Sequence, residues 1–234
     1  MLEARALTKY YDAQPAVENL DLRVEAGEIF CLLGANGAGK TTTVNMFLDF
    51  VRPTRGEACI DGQSVQSDPM RARARIAYVP EQVTMYPELS GLENLRYLLA
   101  LSGRRGLSEA QFAGSLEAAG LAAEFHHRRM QGYSKGMRQK VAIALAMARE
   151  AKVLLLDEPT SGLDPVASNE FGQAIEALSE RGAAVFMVTH DIFRAKETGH
   201  RVGIMKKGRL VETLATASVD HSKLERIYLE HMRD

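Results

Sequence analysis

The stretch Gly34-Ala35-Asn36-Gly37-Ala38-Gly39-Lys40-Thr41 has the residue types and spacing of a phosphate-binding loop, G-x-x-x-x-G-K-[ST]. Glycines at 34, 37 and 39 let backbone amides curl around an anion at φ values that a side chain resists. A helix beginning near Lys40 adds the positive end of its dipole. Lys40 then reaches the β- and γ-phosphates of a nucleotide, and the Thr41 hydroxyl is offered to Mg²⁺. The apolar run Ile29–Leu33 before the loop and Val44, Met46 and Phe47 after it supply the strand and the helix that such a loop needs.

A second group of chemically capable residues stands further along. Val153-Leu154-Leu155-Leu156 is unbroken and apolar, as in a parallel strand buried on both faces, and it ends in Asp157-Glu158. Asp157 is placed to hold Mg²⁺ or its water shell, and Glu158 to accept a proton from an attacking water. Ala183–Thr189 reads as another buried strand, with His190 at its carboxyl end. Ligands in open α/β sheets lie beyond the carboxyl ends of strands, so Lys40, Asp157, Glu158 and His190 are expected to converge. In Tyr133-Ser134-Lys135-Gly136-Met137, Ser134 reads as a helix N-cap, and the amides that follow it form an anion site. Tyr11, ahead of the phosphate loop, is able to stack on a base or simply to pack. His126-His127 lies in a loop and is not expected to bind metal, because adjacent side chains point apart.

The elements that position these groups follow from pattern. Residues 2–7 and 17–24, then 57–60 and 75–79, read as strands punctuated by Gly and Asp turns. Composition then shifts to helix formers: Leu92, Leu95, Leu98 and Leu99 recur at helical spacing, and Ser108-Glu109-Ala110-Gln111 is a capping box. Residues 86–148 are therefore expected to be a helical lobe inserted into a core of residues 1–85 and 149–216, with a C-terminal helix over 217–234. Asp164-Pro165 opens a helix that stops at Gly182, and Lys206-Lys207-Gly208 is a hairpin turn. The fold class is α/β: a phosphate-loop NTPase core with a parallel sheet, an N-terminal antiparallel β subdomain and the helical lobe.

Bulk properties narrow the function. The 234 residues are 46% hydrophobic and 25% charged with a net charge of −1, which offers no basic face for nucleic acid. Cys31 and Cys59 both fall in predicted strands, as expected of core thiols in a reducing compartment. The longest apolar run, 141–148, is far short of a membrane span, so a membrane role would require docking to another chain.

The ordered set of phosphate loop, Pro80-Glu81-Gln82, Tyr133–Met137, Leu154–Thr160, Ser161–Pro165 and Val188–Asp191 resembles the nucleotide-binding domain of ATP-binding cassette (ABC) transporters over residues 3–212. The resemblance implies ATP and Mg²⁺ as cofactors. It assigns Tyr11 to the adenine, and Gly34, Asn36, Gly37, Ala38, Gly39, Lys40, Thr41 and Thr42 to the phosphates. It makes Asp157 the Mg²⁺-associated carboxylate, Glu158 the catalytic base and His190 the γ-phosphate switch. Ser134 and Gly136 match the signature loop that closes over ATP bound by a second copy, and Asp164 matches the loop that communicates across that dimer.

Two departures stand out. Tyr-Ser-Lys-Gly-Met replaces the usual Leu-Ser-Gly-Gly-Gln, a variant similar to that of exporters whose membrane subunits are separate chains, including drug, sodium and copper-maturation types. Glu81 follows Pro80 where the family carries glutamine, with Gln82 one place later, so either residue could serve the metal. The expectation is an ATPase subunit that powers export with a second cassette, identical or paralogous, and a transmembrane permease subunit at the cytoplasmic face of the membrane. The alternative is a soluble ABC-type ATPase or a nucleotide-dependent regulatory module without a membrane partner. A GTPase would need Asn-Lys-x-Asp, which is absent.

Overall fold

The computed structural model describes residues 1–233. Two sheets carry the core. The first is antiparallel, in the order β2-β1-β4-β5, from β1 (Leu2–Tyr11), β2 (Gln14–Val24), β4 (Arg55–Ile60) and β5 (Gln63–Ser64). The second has the order β10-β9-β3-β8-β7-β6, from β3 (Ile29–Gly34), β6 (Ile76–Val79), β7 (Val153–Asp157), β8 (Ala184–Thr189), β9 (Arg201–Lys206) and β10 (Arg209–Ala215). Within it β6, β7, β8, β3 and β9 run parallel, and β10 closes the edge antiparallel to β9.

The six-stranded sheet is buried on both faces, which is why its central strands are apolar without interruption. Phe30 and Leu32 of β3 face the antiparallel sheet, while Ile29, Cys31 and Leu33 face the helices on the other side. On the first face Phe186 stacks on Phe30 with ring centroids 6.1 Å apart and takes Phe47 edge-on at 5.8 Å. Both cysteines are buried in strands as expected.

Helix α1 (Lys40–Phe47) follows the phosphate loop. Residues 91–148 contribute α3 (Gly91–Leu101), α4 (Glu109–Ala118) and α5 (Lys135–Ala148) and no strand of either sheet. The Ser108–Gln111 capping box forms, and Ser90 and Glu93 form a second one before α3. Helix α5 begins directly after Ser134, whose hydroxyl accepts from the Met137 amide at 3.2 Å as the expected cap. Helix α6 (Pro165–Glu180) is capped by Asp164, and α8 (His221–Met232) by Asp220. Asp234, the end of the expected C-terminal helix, lies outside the described residues.

Two short helices were not expected from sequence: α2 (Pro69–Arg75), capped by Asp68, and α7 (Ile192–Thr198), capped by Asp191. The second matters for function because it fixes the chain immediately after His190.

Candidate functional site

The parallel strands deliver their carboxyl ends to one edge, and the chemistry collects there. β3 ends at Gly34, where a Cβ would stand 2.6 Å from the Met205 carbonyl oxygen. The loop then closes at Gly39, which has φ +109° and would put a Cβ 2.2 Å from the Ala16 carbonyl oxygen. Both positions therefore exclude a side chain, and the loop lies tight against β2 and β9. Residues 35–42 line a cavity of about 390 Å³ with Ala16, Glu81, Asp157 and Glu158.

Lys40 is buried and points back along the loop. Its Nζ donates to the Gly34 carbonyl at 2.6 Å and to that of Ala35 at 3.3 Å, and lies 3.6 Å from Glu158 Oε1. Thr41 Oγ1 donates to Asp157 Oδ1 at 3.5 Å. Burial pushes the Asp157 carboxyl above its usual range; the Thr41 hydroxyl pulls it down, and the charges of Glu158 and Glu81 add to the rise. Hard oxygens on Thr41, Asp157 and Glu81, with more negative charge than Lys40 alone offsets, form a donor set suited to a hard divalent cation.

Glu158 leaves the strand with φ +46°, a left-handed conformation that costs on the order of 1–3 kcal/mol in a residue with a side chain. That turn swings its carboxylate between two partners. Oε1 faces Lys40, and Oε2 accepts from the His190 amide at 3.2 Å and lies 2.9 Å from His190 Nδ1. The convergence of Lys40, Asp157, Glu158 and His190 is thus present, with His190 joined through Glu158 and not itself lining the cavity. Such an arrangement can orient a water and take its proton beside a phosphate.

The loop after β6 sends the two neighbouring candidates to different cavities. Glu81 lines the phosphate cavity and accepts from Ser161 Oγ at 3.2 Å. Gln82 lines a different cavity of about 460 Å³, with Val83 to Met85, Pro87, Met130, Gln131, Lys135 and Arg138. In this conformation Glu81, and not Gln82, faces the phosphate cavity.

Four further candidates stand apart from the cavity. Ser134 is exposed at the start of α5, Gly136 is buried behind it, and Asp164 is exposed at the start of α6. Tyr11 is 49% exposed at the end of β1, with Lys9 Nζ 5.1 Å from its ring centroid. His126, by contrast, is buried, with Nε2 3.0 Å from the Leu121 carbonyl oxygen, which accounts for it structurally. Sequence reasoning missed Ala16 as a cavity residue and the bond of Ser161 to Glu81.

A family model described as ABC transporter matches residues 17–161. The chain belongs to the ABC transporter family. It is 35% identical over 213 residues to the bacitracin transport ATP-binding protein BcrA of Enterococcus faecalis, an alignment covering 91% of this chain and 68% of that one. A solved ATP-binding subunit of an ABC transporter superposes over 100% of both chains with a TM-score of 0.85 at 30% identity. A dimeric ATP-binding cassette, MJ0796, in a post-hydrolysis state bound to ADP and Pi, matches 92% of this chain and 99% of that one, with a TM-score of 0.81 at 29% identity. The α/β architecture is that of ABC ATPases, and this ABC subunit is an ATP-binding ATPase. Among the described residues no helix is long and apolar enough to cross a membrane.

Proposed function

We propose that this ABC subunit powers export through a separate transmembrane subunit, by closing with a second cassette over two ATP molecules at the cytoplasmic face of the membrane. The observation that carries the reading is the division of the motif residues. Lys40, Thr41, Asp157 and Glu158 line or face one cavity, while Ser134, Gly136 and Asp164 lie off it on the starts of α5 and α6. A site whose remaining parts are exposed elsewhere on the same chain is suited to completion by another copy or a paralogue.

Lys40, held by two carbonyls of its own loop, is one short movement from phosphate oxygens bound by the loop amides. Thr41, Asp157 and Glu81 would hold Mg²⁺, which when bound neutralises charge on the phosphates. Glu158 takes the proton from the attacking water, and His190 fixes the carboxylate's direction and faces the γ-phosphate. A positioned base is worth about 10²–10⁴-fold in rate, or roughly 3–5 kcal/mol of barrier. Tyr11 stacks on the adenine. Ser134 and the amides of α5 from the partner stabilise charge on the γ-phosphoryl group as it passes to water, a contribution that a single chain lacks.

In the same reading residues 1–85 and 149–216 are the ATP-binding core, 86–148 the lobe that meets the partners, and 217–234 a C-terminal helix. The cavity between residues 82–87 and the lobe is where the membrane subunit would dock. Separate membrane subunits and export are supported by the Tyr-Ser-Lys-Gly-Met signature and by the bacitracin transport relative. Ser134→Arg tests the reading: hydrolysis should stop while ATP affinity of the monomer stays unchanged. A loss of monomer affinity would mean that the signature loop acts within its own chain.

A further inference from the structure

Two of the positions at which the motifs depart from the family's usual residues, Lys135 and Glu81, meet at a single residue. Lys135 Nζ donates to the Ser161 carbonyl at 2.5 Å, and the Ser161 hydroxyl donates to Glu81 Oε1 at 3.2 Å. One helical turn beyond Lys135, the buried side-chain amide of Gln139 donates to the Pro159 carbonyl. Residues four apart share a helix face, so Lys135 and Gln139 fasten the first turn of α5 to loop 159–161 along one line. That loop follows Glu158 directly. Gly136 lies close behind: a Cβ there would touch Ala167 Cβ at 3.4 Å and Leu163 Cδ2 at 3.6 Å, leaving little slack between α5 and the start of α6.

We infer that Glu81, Ser161 and Lys135 form a latch in series that sets where Ser134 stands relative to the phosphate cavity, with Lys135 as a positioning residue. Glu81 lines that cavity, so its carboxylate answers to the charge placed there. Ser161 carries the position onward through a backbone carbonyl, a rigid acceptor. The Lys135 ammonium makes the last bond charge-assisted and hence stronger than a neutral one. Glycine, the family's usual residue at this place, has no donor to complete such a chain, and glutamine in place of Glu81 would offer a neutral acceptor.

The inference rests on the reading that Ser134 serves ATP held by a second copy, and the experiment separates the two. Dimerisation of the Glu158→Gln chain is followed by light scattering against ATP concentration, together with nucleotide affinity of the monomer. A Glu158→Gln parent that stays monomeric in ATP overturns the composite site, and the latch with it. If the parent dimerises, adding Lys135→Met should raise the ATP needed for half-dimerisation about tenfold, the scale of a hydrogen bond to a charged group. Monomer nucleotide affinity should stay unchanged, the melting temperature should fall by no more than a few degrees because the bond also exists in the single chain, and Lys135→Arg should restore dimerisation to within threefold of the parent. Ser161→Ala should act in the same direction. Because the links are in series, Lys135→Met with Ser161→Ala should be no worse than the worse single variant. Dimerisation of Lys135→Met at the parent's ATP concentration overturns the latch. So do penalties that add in the double variant, or a Lys135→Arg chain as impaired as Lys135→Met.

Discussion

Replacing Glu158 by glutamine removes a charge while keeping shape, and the surroundings of that side chain say what should follow. The carboxylate faces Lys40 Nζ at 3.6 Å in a largely buried setting, and the amide of exposed His190 at 3.2 Å. A glutamine oxygen can still accept from the His190 amide, so the local geometry survives. What is lost is the base, and with it about 10²–10⁴-fold in turnover. What is released is Lys40. Its gross attraction to Glu158 is on the order of 4 kcal/mol at an effective dielectric of about 20, and that attraction competes with a phosphate for the same ammonium. Glu158→Gln should therefore bind ATP at least as tightly as the wild type while turning over at least a hundredfold more slowly, and an ATP-bound dimer should accumulate. Single-turnover hydrolysis and equilibrium titration with a fluorescent ATP analogue read the two effects separately. Turnover within tenfold of wild type would remove Glu158 from its role, and weaker ATP binding would show that the Lys40 pair supports the site instead of competing with it.

Asp157 gives a stability prediction. Its carboxyl is raised by burial, so the folded state ionises less readily than the unfolded chain, and stability is lost as pH rises through the ordinary carboxylate range toward the raised folded value. Asp157→Asn should stabilise the protein at neutral pH by roughly 0.5–2 kcal/mol, a few degrees in melting temperature, with the gain fading at acid pH and the added protection from Mg²⁺ and ATP lost. A lower melting temperature at neutral pH would contradict this. Tyr11→Ala should weaken ATP binding about tenfold, within the range of base–aromatic stacking, and Tyr11→Phe should not; equal weakening in both would assign the effect to the hydroxyl.

The site was largely legible because its chemistry sits where pattern is strongest. A glycine-rich turn between an apolar strand and a helix admits few readings, and Asp157-Glu158 at the end of four apolar residues marks a strand end in a buried sheet. Ser134 and Asp164 were legible as caps because short polar side chains before helices have one common use. The rest depended on geometry that pattern does not carry. Helix α2 has seven residues with only Ala72 buried, so it shows no apolar stripe, although Asp68-Pro69 was a readable start. Helix α7 is equally short. Whether Glu81 or Gln82 faces the cavity turns on the path of an irregular loop, and no periodicity fixes that. Ser161 was part of a recognised motif, but its bonds reach residues 26 and 80 positions away.

The central claim is that the phosphate loop of one chain meets the signature loop of another. Asn36 and Ser134 are both exposed, and both native cysteines are buried. Asn36→Cys with Ser134→Cys in the Glu158→Gln chain should form a disulfide of dimer mass when ATP is added under mild oxidation, since a bond requires Cα atoms within about 7 Å. The account predicts that this band depends on ATP and on both cysteines. A band that forms equally without ATP, or a product that remains at monomer mass, would contradict it.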